Sequence, residues 1–216
     1  HEIDSLNYVK LDLLGLNAVG LIDGACKLAG IDYLTPDKVN FSDENVINSI
    51  AKDTTLIFQF ESGFASDSLK RTLSKETLAN IKAQNDNISY LDIMAMVSGA
   101  IRPAGESYRE QLFAGIYNDN GNAALNEFLK PTLGYLVYQE QIIDFLHEFC
   151  GFTMGQADIV RRHFAKKTGT EADIPIIENG GYMLDIHGDK DPRYIKGFIA
   201  VAQEKYGMTE EEARSA

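Results

Sequence analysis

Positive charge is scarce in this chain. Twenty Lys and Arg residues stand against 32 Asp and Glu, a net charge of −12 over 216 residues. Phosphate binding needs local cation density, so this balance excludes non-specific adhesion of the whole surface to nucleic acid. It leaves room for a basic site concentrated on an acidic body. Cysteine is scarcer still: Cys26 and Cys150 lie far apart and outside any CxxC spacing. They read as reduced thiols of an intracellular, cytoplasmic protein rather than as a disulfide framework or a zinc site. No run of about 18 apolar residues occurs, so no spanning helix and no membrane partner is expected. No cationic stretch leading into an apolar run opens the chain, and no secretory signal is expected. Walker-type and dinucleotide glycine motifs are missing, as are internal repeats and any readable Ser-His-Asp or Cys-His set.

What is present is an ordinary globular composition, 44% hydrophobic and 24% charged, long enough to bury a core. Tyr8-Val9-Lys10-Leu11-Asp12 alternates and predicts a short strand. Leu14, Ala18, Leu21, Ile22, Ala25 and Leu28 recur at helical spacing, with Gly30 as the stop. Phe41-Ser42-Asp43-Glu44 opens a helix capped by Ser42. Residues 54–60, β-branched and aromatic, predict a second short strand. From Phe64 onward the periods are helical, over 64–73, 75–84, 91–101, 106–117, 123–129, 139–149, 156–166 and 193–206, with Ser74 and Asp92 as candidate caps. Thr209-Glu210-Glu211-Glu212 has the pattern of a capping box opening a last helix. Residues 84–90 and the Gly-, Asp- and Pro-rich residues 168–192 read as loops. The expected class is mainly α, with a small β element near the N-terminus.

The densest cation cluster is Arg161-Arg162-His163-Phe164-Ala165-Lys166-Lys167. On a helix Arg162 aligns with Lys166, and His163 with Lys167. Forked guanidinium donors beside mobile ammonium groups suit a triphosphate; a solvated helix end accounts for the same run equally well. Lys10 and Asp12 share one face of the predicted strand. Asp12 at a strand end is a candidate magnesium ligand, and the commoner role of a lone Asp there is a helix cap. Gln59, Glu61 and Ser62 follow the second predicted strand, where polar residues line sites, or where Ser62 caps the next helix. Asp185, His187, Asp189 and Asp191 alternate like a calcium loop, but its twelfth position is Lys196 and not Glu, so a polar surface loop is expected. His147 on an apolar helix reads as a packed or half-exposed residue.

The strings Lys10-Leu11-Asp12-Leu13-Leu14-Gly15-Leu16, Asp53-Thr54-Thr55 with Phe58-Gln59-Phe60-Glu61-Ser62, Arg102-Pro103, Gly134-Tyr135-Leu136-Val137-Tyr138-Gln139-Glu140-Gln141, Gly151-Phe152-Thr153-Met154-Gly155-Gln156-Ala157-Asp158 and Arg161 to Lys167 occur in one order. Together they resemble the alpha subunit of bacterial DNA polymerase III, the C-family replicative polymerases. The resemblance implies a fragment of a DNA-directed DNA polymerase, with the end of a palm region over residues 1–60 and a helical fingers region, incomplete at its C-terminus, over 61–216. It implies that Asp12 is the third of three palm aspartates that hold two Mg2+ ions, the other two lying upstream of His1. It implies that Lys10, Arg161, Arg162, Lys166 and Lys167 bind the triphosphate of an incoming dNTP, with Gln59, Ser62, Arg102, Tyr138 and Gln139 lining the pocket. It implies primer-template DNA and further replisome subunits as partners of the full-length enzyme, and a fragment inactive by itself. The sequence departs from the family pattern at Arg102-Pro103-Ala104-Gly105, where the family has Arg-Pro-Gly-Pro, and at His163-Phe164-Ala165, where it prefers Ala-Met-Gly. Residues 168–192 look like an insertion. The alternative is a non-catalytic helical module that binds nucleotide or protein.

Overall fold

Short polar side chains at the right places start most of the helices. The computed structural model describes residues 15–166, 168–184 and 188–216. Residues 8–12, and with them the first predicted strand, lie outside the described residues. The chain divides after Phe41 into two compact units, 1–41 and 42–216. The described part of the first unit holds α1 (Asn17–Ala29), stopped by Gly30, and a single 3₁₀ turn over Pro36–Lys38. The helical period expected there is present, but its apolar side chains are not covered: Leu21 is 69% exposed and Leu28 93%.

The second unit contains α2 (Glu44–Lys52), α3 (Gly63–Thr72), α4 (Lys75–Gln84), α5 (Tyr90–Ala100), α6 (Arg109–Phe113), α7 (Ala123–Leu129), α8 (Gln139–Cys150), α9 (Met154–Lys166), α10 (Thr170–Asn179), α11 (Phe198–Tyr206) and α12 (Glu210–Ser215). Asp43, not Ser42, caps α2, its carboxylate accepting from Asn45 N at 2.8 Å. Ser74 caps α4. At α5 the cap is Ser89: its hydroxyl accepts from Asp92 N at 3.1 Å, and the Asp92 carboxylate accepts from Ser89 N at 3.0 Å. Thr209 and Glu212 close the same reciprocal box at α12. Each such box satisfies two amides that the helix leaves without partners.

The strand predicted over 54–60 is not formed. Two successive turns replace it, closed by Ile57 N to Thr54 O at 3.0 Å and Phe60 N to Ile57 O at 2.9 Å. Leu56 and Gln59 take positive φ, 64° and 70°, which no strand tolerates. Phe60 still buries, joining the core as the end of a turn rather than as part of a sheet. Residues 106–117 are also less helical than expected: a 3₁₀ turn at Pro103–Gly105 precedes the short α6. Conversely, the 168–192 stretch is not all loop. α10 runs through Pro175, and the backbone bond that Pro removes is offset by Ile176 and Ile177, which pack on the core. Beyond α10 the chain returns on itself in an antiparallel excursion bridged at Gly181 with Ile195 and at Leu184 with Lys190.

Buried side chains in the second unit sort into two clusters with no shared member. The first gathers α2 to α6 around Leu69, Ile81, Ile93, Met96 and Phe113. The second gathers α7 to α12 around Leu146, Phe152, Val160 and Ile195. Phe149 sits among Phe128, Phe145 and Tyr206, at ring-centroid distances of 5.2, 5.6 and 4.9 Å. Each fully buried side chain of this size contributes about 1.5–3 kcal/mol over leaving it exposed. The two free cysteines are buried; burial pushes the Cys150 thiol far up, so it behaves as a small apolar residue. Among the described residues no helix is long and apolar enough to cross a membrane.

Candidate functional site

A cleft of about 690 Å³ opens where residues of the two clusters meet. Its walls come from four places in the sequence. The turn before α3 contributes Gln59 and Phe60. One face of α5 contributes Leu91, Met94, Ala95 and Ser98, and the chain just beyond it Arg102. The entry to α8 contributes Val137, Tyr138, Gln139 and Glu140. The second half of α9 contributes Arg161, Phe164 and Ala165. The lining is mostly apolar, with a few polar groups projecting from it.

Those polar groups are held in place. Ser98 Oγ donates to Gln59 Oε1 at 2.5 Å, tying the turn to α5. Gln141 Oε1 accepts from Val137 N at 3.0 Å and Tyr138 N at 2.9 Å, while its Nε2 donates to Thr132 Oγ1 at 2.8 Å. The approach to α8 is thereby fixed before the helix begins. Gly134 starts that approach: its φ is +86°, and a Cβ there would lie 1.9 Å from the Asn118 carbonyl oxygen, so only glycine fits. Burial, helped by the negative charge of Asp92, pushes the Tyr138 hydroxyl up to about 12. It stays protonated near neutrality and so keeps its O–H donor.

On α9 the cations point in different directions. The Arg161 side chain, 20% exposed, donates through Nε and Nη2 to Asp158 Oδ1 at 2.9 and 2.7 Å, and through Nη1 to Gln139 Oε1 at 3.0 Å. Arg162, 60% exposed, reaches Asp158 Oδ2 with Nη2 at 2.5 Å, and its other donors meet no acceptor among the described residues. Lys166 is exposed. His163 turns away, its Nδ1 2.7 Å from Asp173 Oδ2. α9 starts at Met154, which puts Asp158 in its second turn. There it serves as the shared partner of two guanidinium groups. Hydrogen bonding from Arg161, then from Arg162, holds its carboxyl below the usual carboxylate range against the cost of desolvation.

Five of the residues singled out from sequence, Gln59, Arg102, Tyr138, Gln139 and Arg161, therefore line one cleft. Arg162 and Lys166 lie on the same helix without lining it. Ser62 does not line it; its hydroxyl accepts from Ala65 N at 3.4 Å and caps α3. Lys10, Asp12 and Lys167 lie outside the described residues. Among the described residues no group of three or more His, Cys, Asp or Glu side chains gathers as a metal site would require. Of the alternating set, Asp185 and His187 lie outside the described residues, and Asp191 is buried against Arg193 and Gln156. Sequence reasoning overlooked Leu91, Met94, Ala95 and Ser98. Their signal is the three- and four-residue spacing that leads along one helix face to Arg102.

The sequence model of the bacterial DNA polymerase III alpha subunit finger domain matches residues 89–174. The chain is 30% identical over 176 residues to the DNA polymerase III subunit alpha of Ureaplasma parvum. It is 31% identical over 175 residues to that of Campylobacter jejuni, and 29% over 184 residues to that of Helicobacter pylori. The chain belongs to the bacterial DNA polymerase III alpha-subunit family. These alignments take in 76–77% of this chain but span only 13–16% of the length of the alpha subunits. The finger-domain match contains every cleft-lining residue except Gln59 and Phe60.

Proposed function

We propose that this chain is a fingers piece of a template-directed DNA polymerase and that its cleft and the cationic side of α9 receive the incoming deoxynucleotide. The observation that carries the reading is the meeting, in one cleft, of polar residues from positions 59, 102, 138, 139 and 161, beside the exposed Arg162 and Lys166. In this reading Arg162 and Lys166, with Lys10 and Lys167, bind the triphosphate. Arg102, whose guanidinium has no ion-pair partner among the described residues, supplies a second cationic contact. The apolar wall and the Tyr138 ring suit the flat face of a base.

The same reading assigns residues 1–60 to the end of the palm and 61–216 to the fingers. It makes Asp12 one of the carboxylates that hold Mg2+. The ions would polarise the phosphoryl group and activate the primer hydroxyl, and the described residues add no ligand set for them. Primer-template DNA, other replisome subunits and a cytoplasmic setting belong to the full-length enzyme. One carboxylate cannot place two ions, so the chain by itself should not extend a primer; magnesium-dependent extension by the purified chain that survives Asp12→Ala would remove Asp12 from the assignment.

The nucleotide site is tested in the intact polymerase. A charge-assisted contact to phosphate is worth about 1.5–3 kcal/mol, so Arg162→Ala and Lys166→Ala should each worsen kcat/KM for dNTP on the order of tenfold to a hundredfold, mainly through KM. Exposed charges with no ligand contribute little. Wild-type constants in both variants would reduce the cluster to a solvated basic helix.

A further inference from the structure

The segment after α9 grips that helix at two points. Asp173, on α10, is 6% exposed in its side chain and bonds His163 Nδ1. Asp191, equally buried at 7%, accepts from Gln156 Nε2 at 3.1 Å. Gln156 Oε1 in turn accepts from Thr153 N at 2.9 Å, at the start of the helix. Arg193 closes the second set, donating to Asp191 Oδ1 and Oδ2 at 2.9 and 2.6 Å. Gln156 and His163 are seven residues apart, two helical turns, and so share one face of α9. Val160 lies between them and is fully buried. Asp158, Arg162 and Lys166 form a different face, four residues apart.

We propose that the described residues of 168–197 act as a brace that fixes the position of α9, with His163, Asp173, Gln156 and Asp191 as positioning residues for the phosphate-binding face. The inference rests on the nucleotide reading given above. Carboxylates this buried need partners, because an unpaired charge there is costly. Asp173 finds its counterpart, His163, on α9. Asp191, whose charge Arg193 meets, takes one more hydrogen bond from Gln156 on the same helix. Two such tethers two turns apart limit sliding and rotation of α9. None of the four needs to touch nucleotide; they act through Arg161 and Arg162. This assigns a role to the Gly-, Asp- and Pro-rich stretch that follows α9. His163, in place of the Ala-Met-Gly preference, is the residue that Asp173 holds.

The experiment uses the intact polymerase and measures KM and kcat for dNTP together with primer-template affinity. His163→Ala and Asp191→Asn should each raise KM on the order of tenfold, as small misplacements of a binding group do, with kcat and primer-template affinity close to wild type. His163→Asn, which keeps a donor near the Nδ1 position, should restore most of the loss. If Arg162→Ala is impaired while His163→Ala and Asp191→Asn keep the wild-type KM, the brace is wrong and the nucleotide site stands. If Arg162→Ala is itself wild type, the nucleotide reading fails and the brace, as a positioning device, fails with it. Should the brace variants not fold, amide exchange of the unmodified enzyme decides. Residues 154–166 should open together with α10 and the 190–197 stretch, and independent opening would overturn the proposal.

Discussion

A single carboxylate governs how the two arginines of α9 present themselves. Asp158 accepts from Arg161 with one oxygen and from Arg162 with the other, so any phosphate must compete with it or share its donors. Its depressed folded pKa fixes the sign of a pH effect. An unfolded Asp titrates near 3.9, and the folded group lies lower. The stabilisation is therefore complete above about pH 5, and it is lost as pH falls through the unfolded and then the folded value. Asp158→Asn should flatten this part of the acid limb. Denaturant unfolding at pH 6 and pH 3 measures it: the wild type should lose more stability between the two than the variant, and equal losses would show that the pair contributes nothing. At the same scale, the separate directions taken by Arg161, Arg162 and His163 could not be read from the sequence. Helical spacing gave their angular order, but Gln139 and Asp173, which draw two of them aside, come from elsewhere in the chain.

Among elements, α5 links the sequence most directly to the cleft. Its start is set by the Ser89–Asp92 box and its far end delivers Ser98 and Arg102 to the wall. Loss of such a cap costs about 1 kcal/mol. Ser89→Ala should therefore lower the melting temperature by roughly 2–4 °C in a chain of this size, with the helix intact beyond its first turn. Calorimetry checks this, and an unchanged midpoint would mean that Asp92 alone suffices. The helices over 64–84, 91–101 and 139–166 were legible because apolar periodicity is sustained there, with Ser62, Ser74 and Ser89 capping those of the first two stretches. The 54–60 stretch was not, because β-branched composition states only a preference for extended backbone and no partner strand is at hand among the described residues. α10 was hidden by Pro175, since a helix that survives an internal proline does so through packing that sequence spacing does not display.

For the whole molecule, acidity is compatible with the proposed nucleotide site because four of the 20 cations fall within residues 161–167. The five cleft residues could be named from sequence, but their convergence could not, as it depends on how α5, α8 and α9 cross. Two separately packed clusters border that cleft, and this has a consequence for how the protein tolerates change. Substitutions confined to different cores share no partners, so their energies should add, within about 0.3–0.5 kcal/mol. Ile93→Val in the first and Ile195→Val in the second should each cost about 0.5–1.5 kcal/mol, and the double variant their sum. Ile93→Val with Val97→Ala, neighbours on one helix, should depart from additivity. A double-mutant cycle of urea midpoints decides, and coupling above about 1 kcal/mol across the cores would show that they share packing after all. Thermodynamic independence of this kind lets either half drift in sequence over evolutionary time without dragging the other along, while the seam between them, where the cleft lies, answers to both.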